Sequence, residues 1–186
     1  LTILAPAKPV VAFGPNTKDV LSGLYNKSTV VTFTDSTVNF PTSWAWSFTP
    51  NTVTYVQGTS ATSQNPKVVF NNPGTYQVQL IAANVTGSDT LVEPITVLPG
   101  QAVRVFMRTD RFADEVIYRF KDVTTNKVWV QRGPFAQVNP WSANAATRVD
   151  TVLIPQSSNP FEFRFIDTYG DGLVDGTNPD GIFEAT

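Results

Sequence analysis

The 186-residue chain contains neither cysteine nor histidine, and its 13 basic and 15 acidic side chains give a formal net charge of −2. These absences exclude disulfide bonds, zinc sites built on Cys or His, and catalysis by a Cys nucleophile or a Ser–His pair. The balanced charge offers no basic stripe for a nucleic acid, and no apolar run approaches the roughly 20 residues of a membrane span. The 14 prolines and 11 glycines favour strands and turns over helices, so we expect an all-β fold.

Charge usage divides the chain into two parts. Residues 1–98 carry eight charged side chains and no arginine, whereas residues 99–186 carry twenty charges, including all seven arginines. Between them, Leu98-Pro99-Gly100-Gln101 combines the end of an apolar run with a Pro-Gly turn signal. We therefore predict two domains, at 9–98 and 99–186. Residues 1–8 are expected to form a linker or the end of a preceding domain.

The first domain contains short apolar runs separated by turn signals. Several runs alternate apolar and polar residues, as strands with one buried face do. Seven short strands of this kind predict an antiparallel β-sandwich. The predicted strands are 9–13, 29–35, 44–48, 52–57, 67–71, 75–84 and 90–98.

Three motifs in these strands carry a family resemblance. They are V-T-F-T-D-S at 31–36, the tryptophan-rich S-W-A-W-S-F at 43–48, and P-G-T-Y at 73–76. In order and spacing, residues 9–98 resemble the polycystic kidney disease (PKD) domain. The resemblance implies an immunoglobulin-like sandwich with Trp46 and Tyr76 in its core. One turn departs from the pattern, because Trp46-Ser-Phe-Thr-Pro stands where many members read W-D-F-G-D-G.

The second domain is also predicted to be all-β, which makes the chain two antiparallel β-sandwiches in tandem. Its alternating segments end in a strand, F-E-F-R-F-I at 161–166, that leads directly into an acidic, glycine-rich stretch. The predicted strands are 102–109, 115–122, 127–131, 147–154, 160–166 and 181–185.

The acidic stretch predicts a calcium site. Crowded aspartates repel one another unless a cation lies among them, and the glycines allow the backbone to turn the carboxylates inward. A helix–loop–helix calcium site is not expected, because a strand precedes the loop. The alternative is an Asp/Gly turn with solvated charges. The candidate calcium ligands are Asp167, Asp171, the carbonyl of Leu173, Asp175 and Asp180.

The same stretch carries a second resemblance. D-x-Y-G-D-G at 167–172, followed by a short G-I-F-E strand, is similar to a C-terminal β module of secreted multidomain proteins of Bacteroidetes-type bacteria. That similarity implies an extracellular or cell-surface location. Many such modules have cysteines around the loop, and their absence here makes metal the expected means of ordering it. Asp110, Asp114 and Glu115 could approach the site from a neighbouring strand end or could be a solvated turn.

These observations favour a pair of non-catalytic, extracellular binding or adhesion modules. We expect calcium to order the pair, which would be monomeric, would belong to a larger protein, and would bind polysaccharide or extracellular protein. The alternative is a structural spacer between a secreted catalytic domain, a metalloprotease or glycoside hydrolase, and a C-terminal anchor. An acid–base enzyme is not expected, because the carboxylates crowd into one turn. Candidate ligand-binding aromatics, which could instead pack their own loops onto the sandwich, are Trp129, Phe135, Trp141 and Tyr169.

Overall fold

The computed structural model describes residues 6–23, 28–109, 113–135 and 146–168, together with the backbone of 182–185. These residues form strands and one short 3-10 turn, with no α-helix among them. The all-β fold class is therefore confirmed. The chain divides into two compact units, residues 1–100 and 101–186. None of the described elements is a helix long and apolar enough to cross a membrane.

The first unit consists of two facing sheets. One sheet has the strand order β1-β3-β6-β5, and in the other β4 pairs with β7 and β7 with β8. β7 pairs with β8 along its whole length, from Gly74 opposite Val97 to Asn84 opposite Gly87. The strands are β1 (Phe13–Pro15), β2 (Val20–Ser22), β3 (Val31–Asp35), β4 (Ser43–Thr49), β5 (Val53–Tyr55), β6 (Lys67–Phe70), β7 (Gly74–Asn84) and β8 (Gly87–Thr109).

The core of the first unit lies between these sheets and contains the two predicted aromatic residues. Trp46 is 4% exposed and Tyr76 is fully buried, so both predictions are confirmed. The Trp46 Nε1 donates to the Ser63 carbonyl at 2.9 Å, and the Tyr76 hydroxyl donates to the Asn72 carbonyl at 2.9 Å. Both polar atoms are thus satisfied, as buried aromatic donors require. Trp44 is half-buried against this core.

The start of the first unit differs from the prediction. In place of a strand at 9–13, Val10 makes an isolated bridge with Val38, and β1 begins at Phe13. No strand was predicted at β2, which pairs in parallel with β8, with Val20 lying opposite Val97. This parallel pairing differs from the antiparallel pairs that join the other described strands of the first unit. A strand of three residues has too little periodicity to be recognised and depends on its partner.

The predicted Pro-Gly turn between the domains is wrong. β8 continues as extended strand through residues 98–101, and Leu98 and Pro99 pair with Leu21 and Ser22. The φ angle of proline is compatible with an extended strand. Because proline has no backbone N–H, it is tolerated in a strand at positions where that N–H would not be needed for pairing.

The second unit also has two sheets. β9 lies between β10 and β12, and β8 pairs with both β11 and β13. Alternate residues of β9, beginning with Val116, Tyr118 and Phe120, point into a core shared with Val105 and Met107 of β8. The elements are a 3-10 turn (Ala113–Glu115), β9 (Val116–Asp122), β10 (Val128–Arg132), β11 (Ala146–Pro155), β12 (Phe161–Asp167) and β13 (Ile182–Ala185).

Candidate functional site

The predicted calcium loop is described only at its first residues. Asp167 is the last residue of β12 and lies opposite Val116 of β9. The other candidate ligands and one candidate aromatic lie outside the described residues: Asp171, Leu173, Asp175, Asp180 and Tyr169.

The loop begins beside a second acidic segment. Both the backbone N–H and the hydroxyl of Thr168 donate to the Glu115 carbonyl, at 2.9 and 3.0 Å. Glu115 ends the 3-10 turn that also contains Asp114, so Asp114, Glu115 and Asp167 belong to adjoining strand ends. Within the described part of the chain, no three acidic side chains are grouped so as to hold a metal. A calcium site here would need carboxylates from residues 169–181.

Two predicted ligand-binding aromatics are half-buried against the core of the second unit. The Trp129 ring has the Lys127 Nζ 3.8 Å from its centroid. The Phe135 ring stacks on Tyr118, with centroids 6.2 Å apart and planes at 24°, and the Arg148 guanidinium lies 5.0 Å from its centre. These contacts match the alternative role of attaching a loop to the sandwich. Trp141 lies outside the described residues.

A buried polar contact lies beneath Phe135. The Tyr118 hydroxyl, on a fully buried side chain, donates to Asp150 Oδ2 at 2.6 Å. The same carboxylate oxygen is 3.6 Å from Arg132 Nε. Burial, and secondarily the bond to Asp150, raises the pKa of Tyr118 well above its ordinary value. The hydrogen bond joins β9 to β11.

A group of four exposed apolar side chains that the sequence did not indicate lies on hydrogen-bonded segments at one end of the first unit. We call it the apolar end and define it by four side chains: Val10, 57% exposed; Val38, 56%; Phe40, 82%; and Val85, 86%. They come from the N-terminal segment, the β3–β4 loop and the β7–β8 turn. Exposed apolar groups are common singly, but several held at one end of a domain indicate a contact surface.

Hydrogen bonds fix the segments that carry the apolar end. The Asn84 side-chain amide donates to the carbonyls of Ala7 and Asn39, each at 2.8 Å. The Asn39 amide in turn donates to the Lys8 carbonyl at 2.8 Å. The Thr42 N–H donates to the Ala83 carbonyl at 2.8 Å. The loop that presents Phe40 is thus held from both sides.

The backbone of this loop is strained. Asn39 and Phe40 have φ angles of 68° and 55°, in the left-handed region that costs a residue with a Cβ about 1–2 kcal/mol. Asparagine tolerates this region, whereas a large aromatic residue there is an outlier. Strain of this kind concentrates at functional sites. The sequence signal is the Asn39-Phe40-Pro41 run, which indicates a turn but not which way the ring points.

Comparison with known families gives a match in the first unit. Residues 7–98 match the family model of the PKD domain, which confirms the resemblance expected for residues 9–98. PKD domains are typically extracellular, non-catalytic modules with an immunoglobulin-like fold. No curated protein matches the chain.

Proposed function

We propose that the chain is a pair of non-catalytic, extracellular binding modules of a larger secreted or cell-surface protein, and that it binds protein or polysaccharide surfaces. The PKD match supports an extracellular, non-catalytic role for the first unit. The observation that carries the binding role is Phe40, which is 82% exposed on a braced loop with a φ of 55°.

The apolar end has the properties of an interface centre. Large aromatic residues dominate the binding energy of interfaces, and a contact surface fixed before binding loses little conformational entropy. The two bonds from Asn84 provide this fixation. The left-handed backbone at Phe40 lowers stability, so a binding role would explain why phenylalanine, and not glycine, occupies the position.

Phe40→Gly tests the proposal. Glycine adopts the local φ without strain and removes the ring, so the melting temperature should be unchanged or higher. Binding to a panel of glycans and extracellular-matrix proteins should fall by about tenfold or more, as expected for an interface residue worth roughly 1.4 kcal/mol or above.

Gln57→Gly is the matched control. Gln57 also has a left-handed φ, of 54°, but belongs to the turn after β5. The same substitution there should affect stability similarly and leave binding unchanged. Equal binding by wild type and Phe40→Gly would contradict a role for the apolar end.

Calcium is proposed to order the second unit through Asp167, Asp171, Leu173, Asp175 and Asp180. Two features support this: the density of carboxylates, and the anchoring of Thr168 on Glu115, which adds a second acidic segment at the start of the loop. Oxygen ligands of this kind suit a hard cation. Removal of calcium is expected to lower the melting temperature of the second unit.

A structural spacer remains the second candidate. Pairing of β7 with β8 along the whole of β7 and the continuous core of the first unit suit a load-bearing domain between a secreted catalytic domain and a C-terminal anchor. Failure of the wild-type chain to bind any member of the panel would favour this role.

A further inference from the structure

We propose that the outer face of the β10-β9-β12 sheet binds an anionic polysaccharide. We call this surface the basic face and define it by Arg119, Lys121, Gln131, Glu162 and Arg164. The proposal rests on the extracellular binding role proposed above and assigns a ligand class to a surface of the second unit.

Strand register places these side chains on one face. Tyr118 and Phe120 of β9 and Phe163 of β12 pack in the core, so the residues that alternate with them point away from it. Across the strands Arg119 is opposite both Arg164 and Gln131, and Lys121 is opposite Glu162. Directly opposed side chains in an antiparallel sheet begin about 5 Å apart. The face is therefore a continuous polar surface across three strands.

Positive charge on this face exceeds negative charge. Three of its five residues are cationic, and Glu162 is the acidic one. Glu162 Oε1 contacts Arg164 Nη2 at 2.9 Å, and its Oε2 lies 3.7 Å from Lys121 Nζ. One carboxylate is thus shared by two cations, while the chain as a whole has a net charge of −2.

Arg119 is the cation of the basic face whose positive charge is least offset by an acidic neighbour. It lies directly opposite Arg164, and like charges in that position destabilise a sheet. Its Nε is shielded from water and has no hydrogen-bond partner within the described residues. An anionic ligand over the sheet would offset the repulsion between the two guanidinium groups.

A linear polyanion fits this surface better than a single small anion. The cross-strand row of Gln131, Arg119 and Arg164 spaces its side chains by the strand separation, about 4.8 Å. Guanidinium groups bind carboxylate and sulfate in a bidentate manner. Ile117 and Ile166 are paired on the same face and offer apolar contact to sugar rings. A polysaccharide with an anionic group on successive residues can use several of these contacts at once.

The test is binding of the full chain to heparin and polygalacturonate, with dextran as the neutral probe, at low and high salt. Wild type should bind both polyanions, more weakly as salt rises, because exposed charges are screened. Arg164→Gln and Arg119→Gln should each weaken binding about two- to fivefold, the range for loss of one charge contact at a protein surface. Arg104→Gln, an exposed position on β8, removes the same charge from the other sheet and should have no effect.

Three outcomes would overturn the proposal: no polyanion binding, equal loss in all three variants, or binding of dextran as tight as that of the two polyanions. A failure of this proposal can be distinguished from a failure of the proposed function. If the chain binds a neutral glycan or a matrix protein but neither polyanion, the basic face is excluded while the binding role remains.

Discussion

Tyr118 is a residue whose protonation contributes to the stability of the second unit. Its hydroxyl is buried and donates to Asp150 at 2.6 Å, and its pKa is raised by burial and by that carboxylate. The ordinary tyrosine pKa is about 10, and this value describes the unfolded chain. Because the folded pKa is higher, the contribution of Tyr118 is complete below about pH 10 and is lost as pH rises further.

We predict that Tyr118→Phe changes both the stability and its pH dependence. At neutral pH the variant should lose about 1 kcal/mol, the typical net value of a hydrogen bond. Above about pH 10 the wild type should lose up to roughly 1.4 kcal/mol per pH unit from this group, and the variant should lack that component. Urea unfolding from pH 8 to 11 measures both. Parallel pH profiles would show that Tyr118 ionises equally in the two states.

Residue roles differ in how far sequence determines them. Trp46 and Tyr76 were predictable, because alternation and family motifs both place them on an inward strand face. The exposure of Phe40 was not, since it depends on a left-handed backbone and on the bond from Asn84 to Asn39, two residues that are 45 positions apart. Trp129 and Phe135 lie between these cases, since an aromatic in a loop can face a ligand or its own core.

At the scale of elements, the path of the chain after β10 depends on Gly133. This residue has a φ of 99°, and a Cβ built on it would lie 2.2 Å from the Val116 carbonyl oxygen. The absence of a side chain thus lets the segment pass directly over β9. It brings Phe135 onto Tyr118, and the Phe135 N–H donates to the Ala113 carbonyl at 3.2 Å.

We predict that Gly133→Ala destabilises the second unit by about 2–5 kcal/mol, the sum of backbone strain and steric overlap with a strand. Gly58→Ala is the control, because Gly58 has a φ of 74° but nothing within 4 Å of an added Cβ. It should cost only the backbone term, about 1–2 kcal/mol. Chemical denaturation of both variants measures the difference. Equal losses would mean that the chain does not pass this close to β9.

Elements with their own periodicity were predictable, and elements that depend on a partner were not. β3, β4, β7 and β9 alternate clearly in sequence and occur within a few residues of their predicted bounds. β2 is recognisable only through its pairing with β8. The continuation of β8 through Pro99 was missed for a related reason, since a turn signal is local and the pairing that overrides it is not.

At the scale of the whole molecule, the change in charge usage near residue 99 and the division into units at residues 100 and 101 suggest different means of stabilisation. The first unit has a large aromatic core and few charges. The described residues of the second unit contribute a smaller core, and its sequence contains the acidic loop. We therefore expect calcium to affect the stability of the second unit and not that of the first.

We predict a calcium-dependent melting transition in the full chain and none in a fragment of residues 1–100. One bound calcium should stabilise the second unit by about 2.7 kcal/mol at a hundredfold excess over the dissociation constant. Asp171→Asn, which removes one ligand charge, should abolish most of this gain. In a solvated turn the same change would relieve repulsion and stabilise slightly, with or without calcium. A full chain that melts identically with calcium and with chelator would exclude the site.

The double hydrogen bond from Asn84 has a consequence for how the protein is produced. Asn84-Val85-Thr86 is an acceptor motif for N-linked glycosylation, and both amide hydrogens of Asn84 are engaged, one by Ala7 and one by Asn39. A glycan replaces one of these hydrogens, so glycosylated Asn84 can keep only one of the two bonds. Material secreted from a eukaryotic host and carrying this glycan, which its mass would reveal, would therefore present Phe40 on a less restrained loop than unglycosylated material from bacteria.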